Sequence, residues 1–361
     1  PMTHPGSGCV TVFTPSDAAA HNTNAQNLTV KEVVARLPED FHVAMLCDGA
    51  PDPRLAARPN TTLVRWHKHG NTLRLLRHCL FPPPDIYFFP RRGPLDRAFF
   101  DLRRRMKLKT SLITYIVMAM DSVTGAGLTA RSIREADMVF ANSKFVAQTV
   151  RDMFGVKAAR IYDGIDRRYY FPANESVTRE NFRVLYAGSL QARKRPEIVI
   201  RQAARYPQIE FRIAGKGEME APCRALAENL GCRNVIFLGH LSSQELGAEM
   251  RAAGIFLFPS ILEGNPQVLL QAAACGLPCV AMDLYQSDYV VQNQTGLLAH
   301  SDDELSAALD NLVNDPSTRR SFAAAAIEHA NRFDWDDIAK KWAAVFHQAV
   351  ALRQSRRALT A

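Results

Sequence analysis

The feature that most constrains this chain is an alternation, repeated twice, of short apolar runs with longer helix-periodic segments. In the first half the strand-like runs are 10–13, 42–47, 62–66, 86–89, 112–118 and 138–142. Helical periodicity occupies 28–37, 72–79, 95–109, 128–136 and 145–154. An aperiodic stretch follows at 163–178, where Tyr169, Tyr170 and Pro172 suggest a packed connector. The alternation then resumes, with strands at 183–186, 209–213, 235–237 and 255–259 and helices at 196–205, 219–230 and 244–253. Further helices are expected at 287–292, 302–314, 317–331 and 335–352. Strands separated by helices do not close hairpins; they build parallel sheets covered by helices. The expected fold class is therefore α/β, with two Rossmann-like doubly wound domains. A length of 361 residues suits two domains better than one. The expected bounds are 1–165 for the first domain, 166–181 for a linker and 182–334 for the second domain. Residues 335–361 then form a terminal helix that packs back toward the first domain. Ligands of such sheets bind at the carboxyl ends of the strands, so the expectation is a site in a cleft between the two.

Charge narrows the function classes. Residues 1–165 hold 22 Lys/Arg against 14 Asp/Glu, and the rest hold 22 against 22, so the net +8 belongs to the first half. That half is expected to meet an anionic partner, either a membrane surface or a phosphorylated substrate. Leu95, Phe99, Leu102 and Met106 share one face of the 95–109 helix, and Arg97, Arg103, Arg104, Arg105, Lys107 and Lys109 crowd the rest. Arg91 and Arg92 precede it. A basic amphipathic helix of this kind can lie on an anionic bilayer; the plain alternative is a core-packed helix with a solvated basic back. Nucleic acid is not an expected partner, because no stacking aromatics interleave the basic run. The seven cysteines are odd in number and dispersed, which fits a reducing compartment. The longest uncharged apolar run, 111–120, is too short to span a bilayer, and no secretory signal is read at the start. The expectation is a cytoplasmic protein, peripheral on the inner face of the cytoplasmic membrane.

Three stretches carry chemistry. Gly188 and Ser189 follow a strand, and Arg193, Lys194 and Arg195 come just before Pro196 at a helix start. Cations beside a helix N-terminus can neutralise phosphates; a solvated basic turn is the alternative. Gly215, Lys216 and Gly217 form a second strand-to-turn junction, which either brings backbone N–H groups to a ligand or is a plain tight turn. The third is 262–280, LEGNPQVLLQAAACGLPCV. There Glu263 can accept hydroxyl hydrogen bonds, the N–H groups after Gly264 can bind phosphate or sugar oxygens, and Gln271 can bind a diol. The alternative is an N-capping carboxylate and a buried amide.

Together these residues resemble the donor domain of family 4 glycosyltransferases, which have the GT-B architecture. The matching segments are YAGSLQARKRPE, RIAGKGE, VIFLGHLSSQEL, FLFPSILEGNPQVLLQAAACGLPCVA and VVQNQTGLLA. ADMVFANSKFVAQTV, ARIYDGID and FDWDDIAKKW are similar to the family's last first-domain strand and helix, its linker entry and its terminal helix. The resemblance covers about Ala136 to Val350. It implies a nucleotide-sugar donor held by the second domain. By that resemblance Lys194 is the phosphate-binding lysine, and Glu263 is the first carboxylate of the E-x7-E motif, near the reacting carbon. Both are the expected catalytic residues. Gly264, Asn265, Pro266, Gln267 and Val268 would line sugar and diphosphate through their backbone, and His240 and Leu241 would lie by the base. Gln271 stands where the second glutamate binds ribose, and Ser189 stands where an arginine is usual, with Arg193 or Arg195 to compensate. The usual Gly-Gly turn after the first strand is replaced by Asp17 to Asn24, and no histidine follows the 112–118 strand, where Met118 and Met120 stand.

A departing nucleoside diphosphate needs charge neutralisation more than a strong acid, and Arg193 and Lys194 can supply it. The only Asp-x-Asp, Asp334 and Asp336, sits at a helix start, where capping is its expected role. The sequence thus predicts metal-independent transfer with no cofactor, and the resemblance implies retention of anomeric configuration. The expected donor is a UDP- or GDP-sugar, and the acceptor a saccharide or lipid-linked saccharide in polysaccharide biosynthesis. His21, Asn22 and Asn24 are acceptor-side candidates, or plain turn-formers. His67 and His69 flank Lys68, which argues against a metal site. The alternative is a non-catalytic nucleotide-sugar-binding protein of the same fold; an epimerase of the nucleotide sugar would need acidic and histidine residues facing the sugar from both domains, and the sequence shows no such set.

Overall fold

The computed structural model describes residues 9–22, 25–66, 72–88, 94–118, 128–173 and 182–358. The chain forms two compact units, Pro1–Gly164 with Trp335–Ala361, and Ile165–Asp334.

In the first unit the elements run β1 (Val10–Asp17), α1 (Ala25–Arg36), β2 (Phe41–Cys47), α2 (Pro53–Ala57), β3 (Thr61–Arg65), α3 (Thr72–Leu80), β4 (Ile86–Phe88) and α4 (Pro94–Arg105). They continue with β5 (Ser111–Ile116), α5 (Leu128–Arg134), β6 (Met138–Ala141), α6 (Lys144–Phe154) and β7 (Ala159–Arg160). The strands form one seven-stranded sheet in the order β3-β2-β1-β4-β5-β6-β7, with every pair parallel. Alternate side chains leave opposite faces of a strand. Val12 and Phe88 accordingly enter one core and their neighbours Phe13 and Tyr87 the other. Trp342 fills the first core, with Phe88, Tyr115, Phe140 and Phe346 around it at ring-centroid distances of 4.9–5.9 Å. It belongs to the terminal helix of the chain, which thus completes the first unit.

The second unit has β8 (Arg183–Ala187), α7 (Pro196–Arg205), β9 (Glu210–Ala214), α8 (Glu220–Asn229), β10 (Val235–Gly239), α9 (Ser243–Ala252), β11 (Ile255–Phe258) and α10 (Gln267–Ala274). It closes with β12 (Cys279–Met282), β13 (Gly296–Ala299), α11 (Asp302–Asn314) and α12 (Pro316–Ala330). The terminal helix α13 (Trp335–Ala358) follows. Its six-stranded sheet has the order β10-β9-β8-β11-β12-β13, again wholly parallel. Neighbouring strands β8 and β11 are not consecutive, so the winding reverses between them. Helix starts are capped as composition dictates: Ser143 accepts from Val146 N, and Ser242 with Glu245 forms a capping box.

Three expectations need correction. Residues 287–292 form turns, not a helix, because Gln286 takes a left-handed φ of 44° and the Ser287 hydroxyl accepts from Tyr289 N, which closes the chain locally. The 95–109 helix ends at Arg105: Lys107 takes φ 50°, and Leu108 N and Lys107 N bond back to Arg103 O and Arg104 O, a Schellman ending. Leu95 and Phe99 of its apolar face are buried, with Phe100, against Tyr87 and Leu112, so the helical part of that face is core; Met106 lies past the helix end and is exposed. Arg91, Arg92, His67, His69 and Met120 lie outside the described residues. No helix among the described residues is long and apolar enough to cross a membrane.

Candidate active site

The carboxyl ends of β10, β9, β8 and β11 stand side by side and carry, in that order, His240, Gly215 with Lys216, Gly188 with Ser189, and the loop to Glu263. Adjacent loops are sewn together by main-chain bonds. Gly215 N donates to Gly239 O at 2.7 Å, Gly188 N to Ala214 O at 3.0 Å, Leu190 N to Lys216 O at 2.9 Å and Ile261 N to Arg193 O at 3.1 Å. The glycines serve this sewing. A Cβ on Gly215 would lie 1.9 Å from Gly188 O, and one on Gly217 would lie 2.3 Å from Leu190 O. The Gly-Lys-Gly motif is thus explained by loop-to-loop contact, the plain alternative raised above.

At the reversal between β8 and β11, one carboxylate oxygen gathers three donors. Glu263 Oε1 lies 2.6 Å from Lys194 Nζ and 3.1 Å from Arg193 Nη1, and it accepts from Ser260 Oγ at 2.7 Å. Its Oε2 has no protein donor among the described residues. Glu263 and Ser260 are buried. Arg193 Nη1 also donates to Leu262 O at 2.7 Å, which holds the loop after β11 against the turn after β8. Lys194 sits 5.3 Å above the Phe258 ring. Burial pulls the Lys194 pKa down, and the Glu263 charge partly offsets that pull. The third cation behaves differently: Arg195 turns away in a left-handed conformation and pairs with Asp302 at 2.5 Å. Of the two residues named to compensate for Ser189, only Arg193 faces Glu263.

Glu263 does not cap the following helix, as the plain alternative had it. Pro266 is the N-cap of α10 and offers no side-chain bond, so the positive end of this helix stays without a side-chain cap. Gln267, in the first turn, has its side-chain Nε2 buried without a partner. Asn265 is buried, with Oδ1 accepting from Ser287 Oγ at 2.9 Å. Gly264 and Pro266 are buried, and Val268 and Gln271 are half-buried. His240, Lys216 and Ser189 are exposed, and Leu241 is half-buried.

Two tyrosines were missed by sequence reasoning. Tyr285 is 1% exposed, and its hydroxyl has no partner. Burial first, and then the Glu263 charge, push its pKa well up. Tyr186 donates to Ser189 O at 3.2 Å, and the same two causes raise its pKa. Tyr186 opens the quoted segment YAGSLQARKRPE but carried no assigned role, and Tyr285 lies in no quoted segment, so only the fold shows that both stand near Glu263.

In the first unit, His21 and Asn22 lie just past β1. His21 is exposed; Asn22 Nδ2 donates to Asp17 Oδ2 at 2.9 Å. Asn24 lies outside the described residues. Asp17 Oδ1 also accepts from Ala19 N at 3.0 Å and Asp48 N at 3.1 Å. Buried Lys31 donates to Ala19 O at 3.1 Å and Asn22 O at 2.9 Å. No group of three or more His, Cys, Asp or Glu among the described residues is arranged to hold a metal ion.

Two parallel doubly wound units with this strand order define the GT-B architecture. Residues 171–329 match the family model described as glycosyl transferases group 1. The match lies within the second unit and covers most of it. Among curated relatives, the D-inositol 3-phosphate glycosyltransferase of Kribbella flavida is 30% identical over 244 residues, 60% of this chain and 58% of the relative. That of Rhodococcus erythropolis is 29% identical over 232 residues, 57% and 52% respectively. The match thus spans little more than half the length of either relative. Among solved structures, sucrose-phosphate synthase from Thermosynechococcus elongatus superposes with TM-score 0.76 at 18% identity, covering 95% of this chain and all of that one. Anabaena HepE in complex with UDP-glucose superposes with TM-score 0.76 at 18% identity, covering 94% and 99%.

Proposed function

We propose that the protein is a retaining, metal-independent glycosyltransferase that moves a sugar from a nucleoside-diphosphate donor to a hydroxyl acceptor. The observation that carries this reading is the buried Glu263 Oε1 shared by Lys194 and Arg193 at the β8/β11 reversal. The free site holds its two cations by a carboxylate. An arriving diphosphate offers a better-matched anion to Lys194, Arg193 and the uncapped start of α10, while Glu263 Oε2 accepts a donor-sugar hydroxyl. The orphaned Gln267 amide supports the same reading, since an unpaired buried donor costs about 1–3 kcal/mol until it meets an acceptor.

In the reaction the bond from the anomeric carbon to the phosphate oxygen breaks, with its electron pair leaving on the diphosphate. Lys194 and Arg193 stabilise that charge where it develops. The acceptor oxygen bonds the same face of the carbon, and its proton passes to a phosphate oxygen of the leaving group. Gln271 is assigned to the ribose and the loop at His240 and Leu241 to the base. UDP-glucose in complex with HepE, of the same fold, makes UDP-sugars the first donors to try, with GDP-sugars next. The curated relatives are named for transfer to an inositol phosphate, which suggests a polar or lipid-linked saccharide acceptor for this basic first unit. The acceptor side, with His21, Asn22 and Asn24, is assigned to that unit, working at an anionic membrane surface in the cytoplasm.

The test is a thermal-shift screen of UDP- and GDP-sugars with and without EDTA, followed by NMR of the product anomer. A ligand that binds only the folded state raises the midpoint by mass action. Equal shifts in chelator and a retained anomer are expected. Dependence on a divalent cation or an inverted product would overturn those parts of the reading.

A further inference from the structure

The amino edge of the first sheet, opposite the strand ends that carry sites in doubly wound folds, has its own construction. The segments that meet there are the approaches to β4, β5 and β6 and the end of α13. Thr110 Oγ1 donates to Pro84 O at 2.7 Å, Arg353 Nη1 donates to Lys109 O at 3.1 Å, and Arg353 also pairs with Asp85. Between them lies a half-open cavity of about 340 Å³, lined by Arg103, Lys109 and Arg353, by Asp137 and by the Thr110 and Ser111 segment. Arg103 is held in place by Asp137 at 2.5 Å and by Thr110 O at 2.9 Å. Lys109 has no carboxylate partner among the described residues.

The rim is unusual for a solvated surface. The three most exposed large apolar side chains of the described chain are Phe81 at 67%, Leu352 at 48% and Met106 at 46%. All three belong to this edge: Phe81 precedes Pro84, Met106 precedes β5, and Leu352 adjoins Arg353. Exposed Arg104, Arg105, Lys107 and Lys109 flank Met106. The Schellman ending of α4 throws Met106 and Lys107 outward, at a helix terminus where cations are favoured. Isolated exposed apolar residues need no explanation, but three on one edge that is also rich in exposed cations do; of those cations only Arg104 has a carboxylate partner among the described residues, Asp101 at 3.6 Å.

We propose that this edge docks on an anionic phospholipid bilayer, with Phe81, Met106 and Leu352 in the interface and a lipid headgroup phosphate seated in the cavity by Arg103, Lys109 and Arg353. Charge complementarity selects anionic lipid, and the apolar trio selects a bilayer over a soluble acidic partner. The inference builds on the reading of a membrane-borne acceptor, but it relocates the contact from the face of α4 to the sheet edge. Its test needs neither donor nor transfer, so its failure leaves the donor site untouched and the reverse holds too.

The experiment is co-sedimentation of the full chain with phosphatidylcholine vesicles, with and without 30% phosphatidylglycerol, at about 0.1 M salt. Partition to the anionic vesicles is expected, with little to the neutral ones. Arg104→Gln with Lys109→Gln removes two cations and lowers the partition about 25-fold, about fivefold for each. Met106→Ser with Leu352→Ser, which alters no charge, lowers it about tenfold. Circular dichroism and the melting midpoint check that each variant is folded. Equal binding to both vesicle types, or no change in either folded variant, overturns the proposal. A thermal shift with glycerol 3-phosphate and no vesicle binding also overturns it, in favour of a soluble phosphate ester.

Discussion

The loops after β1 and after β8 hold the same topological place, each following the central strand next to the reversal of its sheet, yet they are built in opposite ways. The loop after β1 is closed largely by its own bonds. Asp17 takes two backbone N–H groups and the Asn22 amide, and Lys31 takes two carbonyls. The loop after β8 is satisfied only by reaching elsewhere, with Lys194 and Arg193 both spent on Glu263 from the far side of the reversal. Around that pair sit polar atoms with no partner, Gln267 Nε2 and Tyr285 Oη. Both sides leave a buried group over, since Ser16 Oγ at the end of β1 also has no partner among the described residues, but only the β8 side holds two cations on one buried carboxylate. Perturbed, clustered charges of this kind gather at functional sites, which is why the proposed donor site is placed in the second unit.

Removing Lys194 should break this contrast most. Lys194→Met keeps an unbranched stem over Phe258 and removes the charge. Transfer should fall about 10²–10³-fold, as when one charge-stabilising donor is lost from a reaction centre. Glu263 keeps Arg193 and Ser260, so the fold should survive. Steady-state rates and the thermal shift with nucleoside diphosphate measure both sides; near-normal turnover would remove Lys194 from the phosphate role.

The mirror-image substitution belongs to the first unit. Asp17→Ala strands two backbone N–H groups and the Asn22 amide, which should cost about 2–3 kcal/mol. The melting midpoint should drop by about 5–10 °C. Donor affinity, read by titration below the new midpoint, should not change. If Asp17→Ala instead weakened donor binding while leaving stability alone, the loop after β1 would be a ligand loop and the contrast would collapse.

The strands were legible because period and length agree at almost every one: the run at 255–259 is β11, and that at 138–142 is β6, each to within one residue. What escaped was short or locally closed. The two-residue β7 has no period to read, and α2 has five residues behind Pro53, too few to show a helical face. The run at 287–292 has helical composition, but the Ser287 hydroxyl competes for the Tyr289 N–H, and composition does not register that. At the site, Lys194 and Glu263 stood out because a basic turn and an acidic loop each follow a strand. Their direct contact did not, since 69 residues separate them and only the β8–β11 pairing closes the distance. Tyr285 was silent for the same reason. The basic helix misled: its spacing fits a bilayer and a core equally, and Phe99 against Tyr87 at 4.1 Å shows that the core has it.

Gln271 carries the smallest expected effect and sharpens the comparison within the donor site itself. It is half-buried on α10, eight residues past Glu263, on a helix with no acidic residue in its first turn. An amide oxygen accepts a ribose hydroxyl as a neutral group, whereas a carboxylate accepts it with charge, and the difference is about 1 kcal/mol. Gln271→Glu should therefore tighten donor binding about fivefold, with turnover little changed. The proposed diphosphate lies at the start of the same helix, so part of the gain is lost to repulsion when phosphate and ribose lie close together. Titration with the nucleoside and with its diphosphate separates the two. The nucleoside should show the full gain and the diphosphate less, and a large loss with the nucleoside alone would place the ribose elsewhere.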